Sequence, residues 1–333
     1  MSSSLLRSDI LVTGATGFIG RRLAETLVDS GARVRLLVRQ PERLDPRLQR
    51  NCDVLAGSLD DPESLVRAVS EVKTVFHCAA NVRTWDSPAA YFEANVAGVE
   101  RLLDAIRLTN PALKRLVHLS SLDVYGFPAT ACDETCETTG GGFYYGETKR
   151  LGESLVRQSG IPYTIIRPGN VIGPGSEFIR RIGTALRSGI MLTIGRGRSH
   201  AGLVDIDNLV AYLTWAADAA SAVDQTYNVR DEVDVTWAEF LASFRRMIDG
   251  RGIVVDLPFA AADALARSFE LLYLALRLRH EPLLHRLLVR IFGRTCGHSA
   301  EKIWRDSGIR PPVGFNESLA RSVEWFRSGA DQP

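Results

Sequence analysis

"DILVTGATGFIG" (residues 9–20) decides how this chain reads. An apolar, β-prone run enters a turn with glycine at 14, 17 and 20, and an amphipathic stretch follows at once. In "GRRLAETLVDSG" (20–31), Leu23, Leu27 and Val28 share a helical face and Gly31 is a stop. Strand, glycine turn and helix in that order form a phosphate cradle. Gly14 takes the tight turn, Gly17 lets a pyrophosphate approach the backbone, and Gly20 allows close helix packing. The first N–H groups of the helix then face the phosphates, with Thr16, Phe18 and Ile19 completing the turn. The spacing is G-x-x-G-x-x-G, not G-x-G-x-x-G, so its weight comes from the strand and helix around it.

The same alternation continues outward. "RVRLLV" (33–38), "CDVLAG" (52–57), "KTVFHCAA" (73–80), "LKRLVHLSS" (113–121) and "YTIIRPG" (163–169) read as strands. Between them lie a helix opened by the Asp-Pro of "LDDPESLVRAV", and helices over 95–109 and 146–160. This rhythm predicts right-handed crossovers and an α/β fold: a doubly wound parallel sheet of the Rossmann type, with ligands at the carboxyl ends of its strands. After "NVIGPGS" (170–176) the alternation stops. The second half reads as mostly helical, with a return strand at "TYNVR" (226–230). The expected division is a dinucleotide-binding domain over 1–172, rejoined by 202–230. A smaller, mostly helical C-terminal substrate lobe is expected from 173–201 and 231–333.

Composition narrows the function. With 45% hydrophobic and 24% charged residues and a net charge of +1, the chain has ordinary globular balance and no field to attract nucleic acid. Its five cysteines lack zinc-site spacing and read as reduced thiols of a cytoplasmic protein, with no metal expected. "MSSSLLRSDILVTG" lacks a signal-peptide core, and no uncharged run approaches the ~20 residues that span a bilayer.

The second strand ends "LLVRQPERL" (36–44), with Val38 where an NAD site would place a carboxylate and Arg39 next. A guanidinium suits a 2′-phosphate, so NADP(H) is favoured and NAD(H) stays open; Arg43 is a weaker helper. Ser58 and Leu59, after the third strand, would lie beside the adenine. Ala79 and Ala80 are the small residues that close approach of a cofactor requires. His77, a lone histidine at a strand end, reads as packed and structural.

In "GFYYGETKR" (142–150), Tyr145 and Lys149 are four apart and share a helix face, whereas Tyr144 pairs with Thr148. An ammonium near the phenol favours phenolate, and such a phenol exchanges a proton with a carbonyl or alcohol oxygen. The preceding strand ends in two serines, Ser120 and Ser121, either of which offers a hydroxyl to the same oxygen.

In order, "TGATGFIG", "HCAA", "NVAGVERLLDA", "LSSLDVYG", "YGETK", "RPGNVIGPG" and "VDIDNLV" resemble the extended short-chain dehydrogenase/reductase superfamily over about residues 9–230. The resemblance implies a catalytic set of tyrosine, lysine and serine with an asparagine on the preceding helix. Counting four residues back from Tyr125 selects Ser121, and the asparagine is Asn95. It further implies nicotinamide contacts from Pro168, Asn170 and Val171, a ribose contact from Lys149, and a homodimer through the helices carrying Asn95 and Tyr145.

The segment "FAAADALARSFELLYLALRLRHEPLLHRLLVRIFGR" (259–294) is unusual. Leu265, Phe269, Leu272, Tyr273 and Leu276 form a stripe, and Leu283, Leu284, Leu287, Leu288 and Ile291 continue it past Pro282. Six arginines and two glutamates lie between Ala264 and Arg294. Two readings are open and compatible: a core-facing helix pair that walls the pocket, or a basic amphipathic surface that touches a membrane peripherally. With the later "GHSAEKIWRDSGIRPPVGFNESLARSVEWFR" (297–327), it resembles the 3β-hydroxysteroid dehydrogenase-like branch. Lys302, Gly308, Pro311, Glu317 and Trp325 fit that pattern and the rest has drifted. That branch implies interconversion of ketone and secondary alcohol on a bulky hydrophobic substrate.

A sugar-nucleotide epimerase or dehydratase is the alternative, resting on Arg196, Arg198 and His200 as diphosphate ligands and on Asp123, two residues after Ser121. A non-catalytic dinucleotide sensor is more remote, because tyrosine and lysine are both present.

Overall fold

The structure, a computed structural model, describes residues 9–278 and 280–329. The N-terminal segment read above for a leader and Arg279 of the basic segment lie outside the described residues.

The first strand, β1 (Ile10–Thr13), runs through the glycine turn into α1 (Phe18–Asp29). There follow β2 (Val34–Val38), α2 (Pro46–Asn51), β3 (Asp53–Ala56), α3 (Pro62–Val69) and β4 (Thr74–His77). Then come α4 (Pro88–Phe92), α5 (Gly98–Thr109), β5 (Arg115–Leu119), α6 (Tyr144–Arg157) and β6 (Tyr163–Pro168). Asp61 caps α3 by accepting from the N–H groups of Glu63 and Ser64, with Pro62 at the first helical position.

Six of these strands and β10 (Gln225–Val229) form one parallel sheet, ordered β10-β6-β5-β4-β1-β2-β3. The order reverses between β1 and β4, which opens a crevice at their carboxyl ends. Neighbouring residues of each strand serve opposite cores. Val12, Leu36, Phe76, Val117 and Ile166 pack under α1 and α8 (Ile206–Asp218). Leu11, Leu37, Val75, Leu116 and Ile165 pack under α3, α5 and α6. Burial on both faces is why the strands read as continuous apolar runs rather than alternating ones.

The second half holds more strand than its sequence suggests. β7 (Asn170–Ile172) pairs with β9 (Leu203–Asp205), and β8 (Ile190–Ile194) pairs with β11 (Ile253–Leu257), both in parallel. α7 (Glu177–Ser188), α9 (Trp237–Met247) and α13 (Phe315–Ser328) enclose a third core around Trp237, Phe240, Phe244 and Phe326. Strands of three to five residues are too short to show a period, and β7 follows β6 with a single residue between.

The helix expected from residue 95 starts earlier. α4 opens at Pro88, capped by Ser87, and a π-helical turn over Glu93–Ala97 joins it to α5. Such a turn carries one extra residue and re-aims the side chains within it, here Asn95.

Of the segment 259–294, α10 (Phe259–Ala275) buries only Ala262 and Ala266, with Phe259 and Phe269 half-buried beside them. The expected stripe is therefore displaced: Leu265, Leu272 and Leu276 are exposed. Small alanines, not leucines, give the face that packs, because they let the helix approach β8 and α11 (Arg286–Gly293) closely. Leu284 and Leu287 are buried as expected, while Leu283 is exposed. α12 (Glu301–Ser307) returns against β10.

Candidate active site

The glycine turn is a tight junction between two strand ends. Gly14 has φ +76°, and a Cβ there would lie 2.7 Å from the Ala79 nitrogen. A Cβ on Gly20 would lie 2.3 Å from the Gly14 carbonyl oxygen, so its role is to let α1 close on the turn itself. The Ala79 N–H donates to the Thr13 hydroxyl, which also bonds His77 Nδ1 at 2.9 Å. His77 is buried and stacks on His118, and burial with the Lys149 charge pushes its pKa down to about 3. Its role is structural, as read. Thr16 and Gly17 are exposed, Phe18 and Ile19 half-buried, and a Cβ on Gly175 would touch Phe18. The first N–H groups of α1 have no partner within the helix. These features fit a dinucleotide pyrophosphate.

Val38 is buried and Arg39 exposed, and the Arg39 guanidinium makes no hydrogen bond among the described residues. Ser58 donates its hydroxyl to Asp60, a carboxylate that also feels Arg101 and Arg39. Leu59 lies against Gly98, where a Cβ would come within 3.0 Å of it.

The two serines at the end of β5 separate cleanly. Ser120 is drawn under α6 and donates to Glu153 at 2.6 Å. Glu153 is fully buried and takes both arms of Arg167, at 2.8 and 2.7 Å, and Arg157 at 2.7 Å. Burial raises its pKa, but Arg167 and Arg157 outweigh that and hold it below the ordinary carboxylate value. Arg167 also donates to the Tyr125 hydroxyl, which donates to Asn228. Ser121 takes the other side. It accepts from the Asp123 N–H, and its hydroxyl faces Tyr145, where its hydrogen bond favours the phenolate. The Glu153–Arg167 pair escaped the sequence reading. A signal existed: Glu153 lies four residues beyond Lys149 on the same helix face, and Arg167 interrupts an apolar strand.

Tyr145 and Lys149 share the face of α6 expected of them, but the electrostatics differ from expectation. Burial, with the Asp123 carboxyl as second cause, raises the Tyr145 pKa above its ordinary value, and the Ser121 bond only partly offsets this. Lys149 is buried with its ammonium donating to the Leu119 carbonyl, and burial lowers its pKa to about 8 despite Glu153. The lysine is thus spent on a strand-end carbonyl and does not depress the phenol. Tyr144 is 57% exposed.

Asp123 is half-buried, its carboxyl makes no hydrogen bond among the described residues, and burial pushes its pKa up to about 7. It is the one site carboxyl whose charge opposes the phenolate.

Asn95 is a clamp. Its Oδ1 accepts from the Asn81 N–H at 2.8 Å, and its Nδ2 donates to the Asn81 carbonyl and to Thr148, both at 3.1 Å. It ties the loop after β4 to α6 one residue before Lys149. Asn170 is similarly committed: its amide donates to the Ala201 carbonyl at 2.6 Å, and it bonds Cys296. That side chain joins β7 to the second half, while Pro168 is buried and Val171 half-buried beside it.

The groups read as diphosphate ligands have different surroundings. His200 bonds Asp234 at 3.0 Å and accepts from the Gly202 N–H, so both ring nitrogens are used. Arg196 lines an outer cavity of about 610 Å³ with Arg245 and Arg246. Arg198 is exposed.

Residues 10–229 match the NAD dependent epimerase/dehydratase family. The chain is 28% identical over 326 residues to a 2-alkyl-3-oxoalkanoate reductase of Stenotrophomonas maltophilia, covering 94% of this chain and 97% of that one. It is 26% identical over 343 residues to a 3 beta-hydroxysteroid dehydrogenase/Delta 5→4-isomerase of Mycobacterium tuberculosis, covering 97% and 91%. Among solved structures, MoeE5 in complex with UDP-glucuronic acid and NAD superposes with a TM-score of 0.76 at 23% identity, covering 97% and 100%, a likeness of fold.

Proposed function

The chain belongs to the NAD dependent epimerase/dehydratase family, and from that premise we propose that it is an NADP(H)-dependent oxidoreductase interconverting a ketone and a secondary alcohol on a bulky hydrophobic substrate. The observation that carries this is the division of the serines. Ser120 is locked into a buried ion pair, so Ser121 alone is left to face Tyr145.

A bound nicotinamide would supply or accept the hydride. The residues of this chain do the rest. Gly14, Gly17 and the first turn of α1 hold the pyrophosphate, and Arg39 pairs with a 2′-phosphate. Ser121 donates a hydrogen bond to the substrate oxygen. Tyr145, its pKa raised, is protonated at neutral pH and gives its proton to that oxygen in the reducing direction. In the oxidising direction it must accept a proton, and its raised pKa places that step above neutral pH. Asn95 positions α6 through Thr148 and touches no reacting atom.

The substrate class is supported by the two enzyme relatives, whose names describe a 3-oxoalkanoate and a hydroxysteroid. It is also supported by the apolar hairpin that adjoins the loop after β4: the Trp85 and His285 rings meet at a tilt with centroids 5.6 Å apart, and Thr84 bonds Glu281. Epimerases are also among the relatives, but of the groups read as diphosphate ligands His200 is already held by Asp234 and Gly202.

The test is NADPH consumption with 3-oxoacyl and steroid ketones beside UDP-sugars. Turnover is expected with the ketones; turnover confined to the UDP-sugars would overturn the reading. Arg39→Ala should weaken NADPH about tenfold or more and leave NADH unchanged. Equal affinity of wild type for both would remove the arginine argument.

A further inference from the structure

The end of α10 and the chain that follows it gather seven exposed leucines among the described residues. Leu271, Leu272, Leu274 and Leu276 are 50–66% exposed, and Leu265, Leu278 and Leu283 are 43%, 36% and 75% exposed. Leucines on several sides of one helix, with only Ala262 and Ala266 buried, are more than packing requires. A soluble helix usually turns its leucines inward, and a patch of this kind marks an interaction site.

Charge says what covers it. All three described acids of the hairpin are paired. Asp263 pairs with Arg290, Glu270 with Arg286, and Glu281 with Arg181 and His285. Arg267 and Arg277 are exposed, and their guanidinium groups make no hydrogen bond or ion pair among the described residues. The surface therefore presents leucine between uncompensated positive charges. A second copy laid on it would oppose arginine to arginine, whereas an anionic lipid surface complements both features. No helix among the described residues is long and apolar enough to cross a bilayer, so the contact would be peripheral.

The location adds a consequence. Glu281 holds Thr84, His285 lies against Trp85, and the same loop begins at Asn81, which Asn95 clamps to α6. Three contacts thus join the leucine-bearing segment to the helix of Tyr145: Glu281 to Thr84, Asn81 to Asn95, and Asn95 to Thr148.

We propose that the 265–283 surface docks on an anionic bilayer, with Leu271, Leu272, Leu274 and Leu276 entering the headgroup boundary and Arg267 and Arg277 meeting lipid phosphates, so that the loop 81–86 lies at the membrane. This stands apart from the reading of the reaction, because it can be measured without substrate.

The test is co-sedimentation of the full chain with vesicles of phosphatidylcholine alone and of equal parts phosphatidylcholine and phosphatidylglycerol. Wild type should bind the anionic vesicles about tenfold or more better than the neutral ones, with binding weakened by salt. Leu271→Glu/Leu274→Glu and Arg267→Glu/Arg277→Glu should each abolish it. Leu108→Glu, at an exposed leucine on α5, should leave it intact. Wild type left in the supernatant with both vesicle types would overturn the proposal. So would equal loss with Leu108→Glu. A dimer that dissociates in Leu271→Glu/Leu274→Glu, with no vesicle binding by wild type, would instead show that a second copy covers this face.

Discussion

The ends of β5 and of α10 handle charge and apolar surface in opposite ways. Beneath Ser120 the protein buries a carboxylate and satisfies it fourfold, with two bonds from Arg167 and one each from Arg157 and Ser120. At Leu271–Leu276 it leaves leucine in water and pairs every described acid away from the surface. The first region fixes one geometry, because a buried pair broken on one side is costly. The second is built for contact with something outside the fold.

The contrast can be broken most strongly at the phenol. Tyr145→Phe should lower kcat by ~10²–10⁴-fold, the usual worth of a placed acid, with cofactor affinity and melting temperature unchanged; Tyr144→Phe should be mild. The reverse ranking in steady-state assays would move the acid. Next, Arg167→Met leaves Glu153 buried without its main partner and should destabilise the fold by ~3–5 kcal/mol in denaturant unfolding.

Asp123→Asn sharpens the electrostatics. Asp123 becomes charged above about pH 7 and raises the Tyr145 pKa. Removing that charge lowers the pKa, so the ascending limb of the oxidative pH–rate profile, where Tyr145 loses its proton, should move to lower pH; a move to higher pH contradicts the assignment. The smallest effect belongs to the other region. Leu271→Glu/Leu274→Glu should change stability by no more than about 0.5 kcal/mol per site, since neither leucine packs on the core.

The two regions also differ in how far the sequence exposes them. The parallel sheet and the cradle follow from local signals: apolar runs of two-faced strands, an Asp-Pro cap and the glycine spacing. Tyr145 over Tyr144 follows from helix period alone. What escapes depends on residues far apart in sequence. Ser120 and Ser121 are equivalent by residue type, and without the family resemblance that selects Ser121 only the distant Glu153 and Arg167 tell them apart. Asn95 is re-aimed by a π-turn that no local pattern announces. The α10 stripe misleads because leucine spacing marks an apolar face without saying whether protein or something else covers it. Lys149 shares the tyrosine's face, yet a carbonyl thirty residues away takes its proton donor.

The serine pair tests the central claim most directly. Ser121→Ala and Ser120→Ala should be compared for turnover and for unfolding free energy in the same preparation. The account predicts a double dissociation: Ser121→Ala loses turnover and keeps stability, while Ser120→Ala keeps turnover and loses ~1–3 kcal/mol of stability by stripping a bond from buried Glu153. Loss of turnover with Ser120→Ala at full stability, or full turnover with Ser121→Ala, would contradict it.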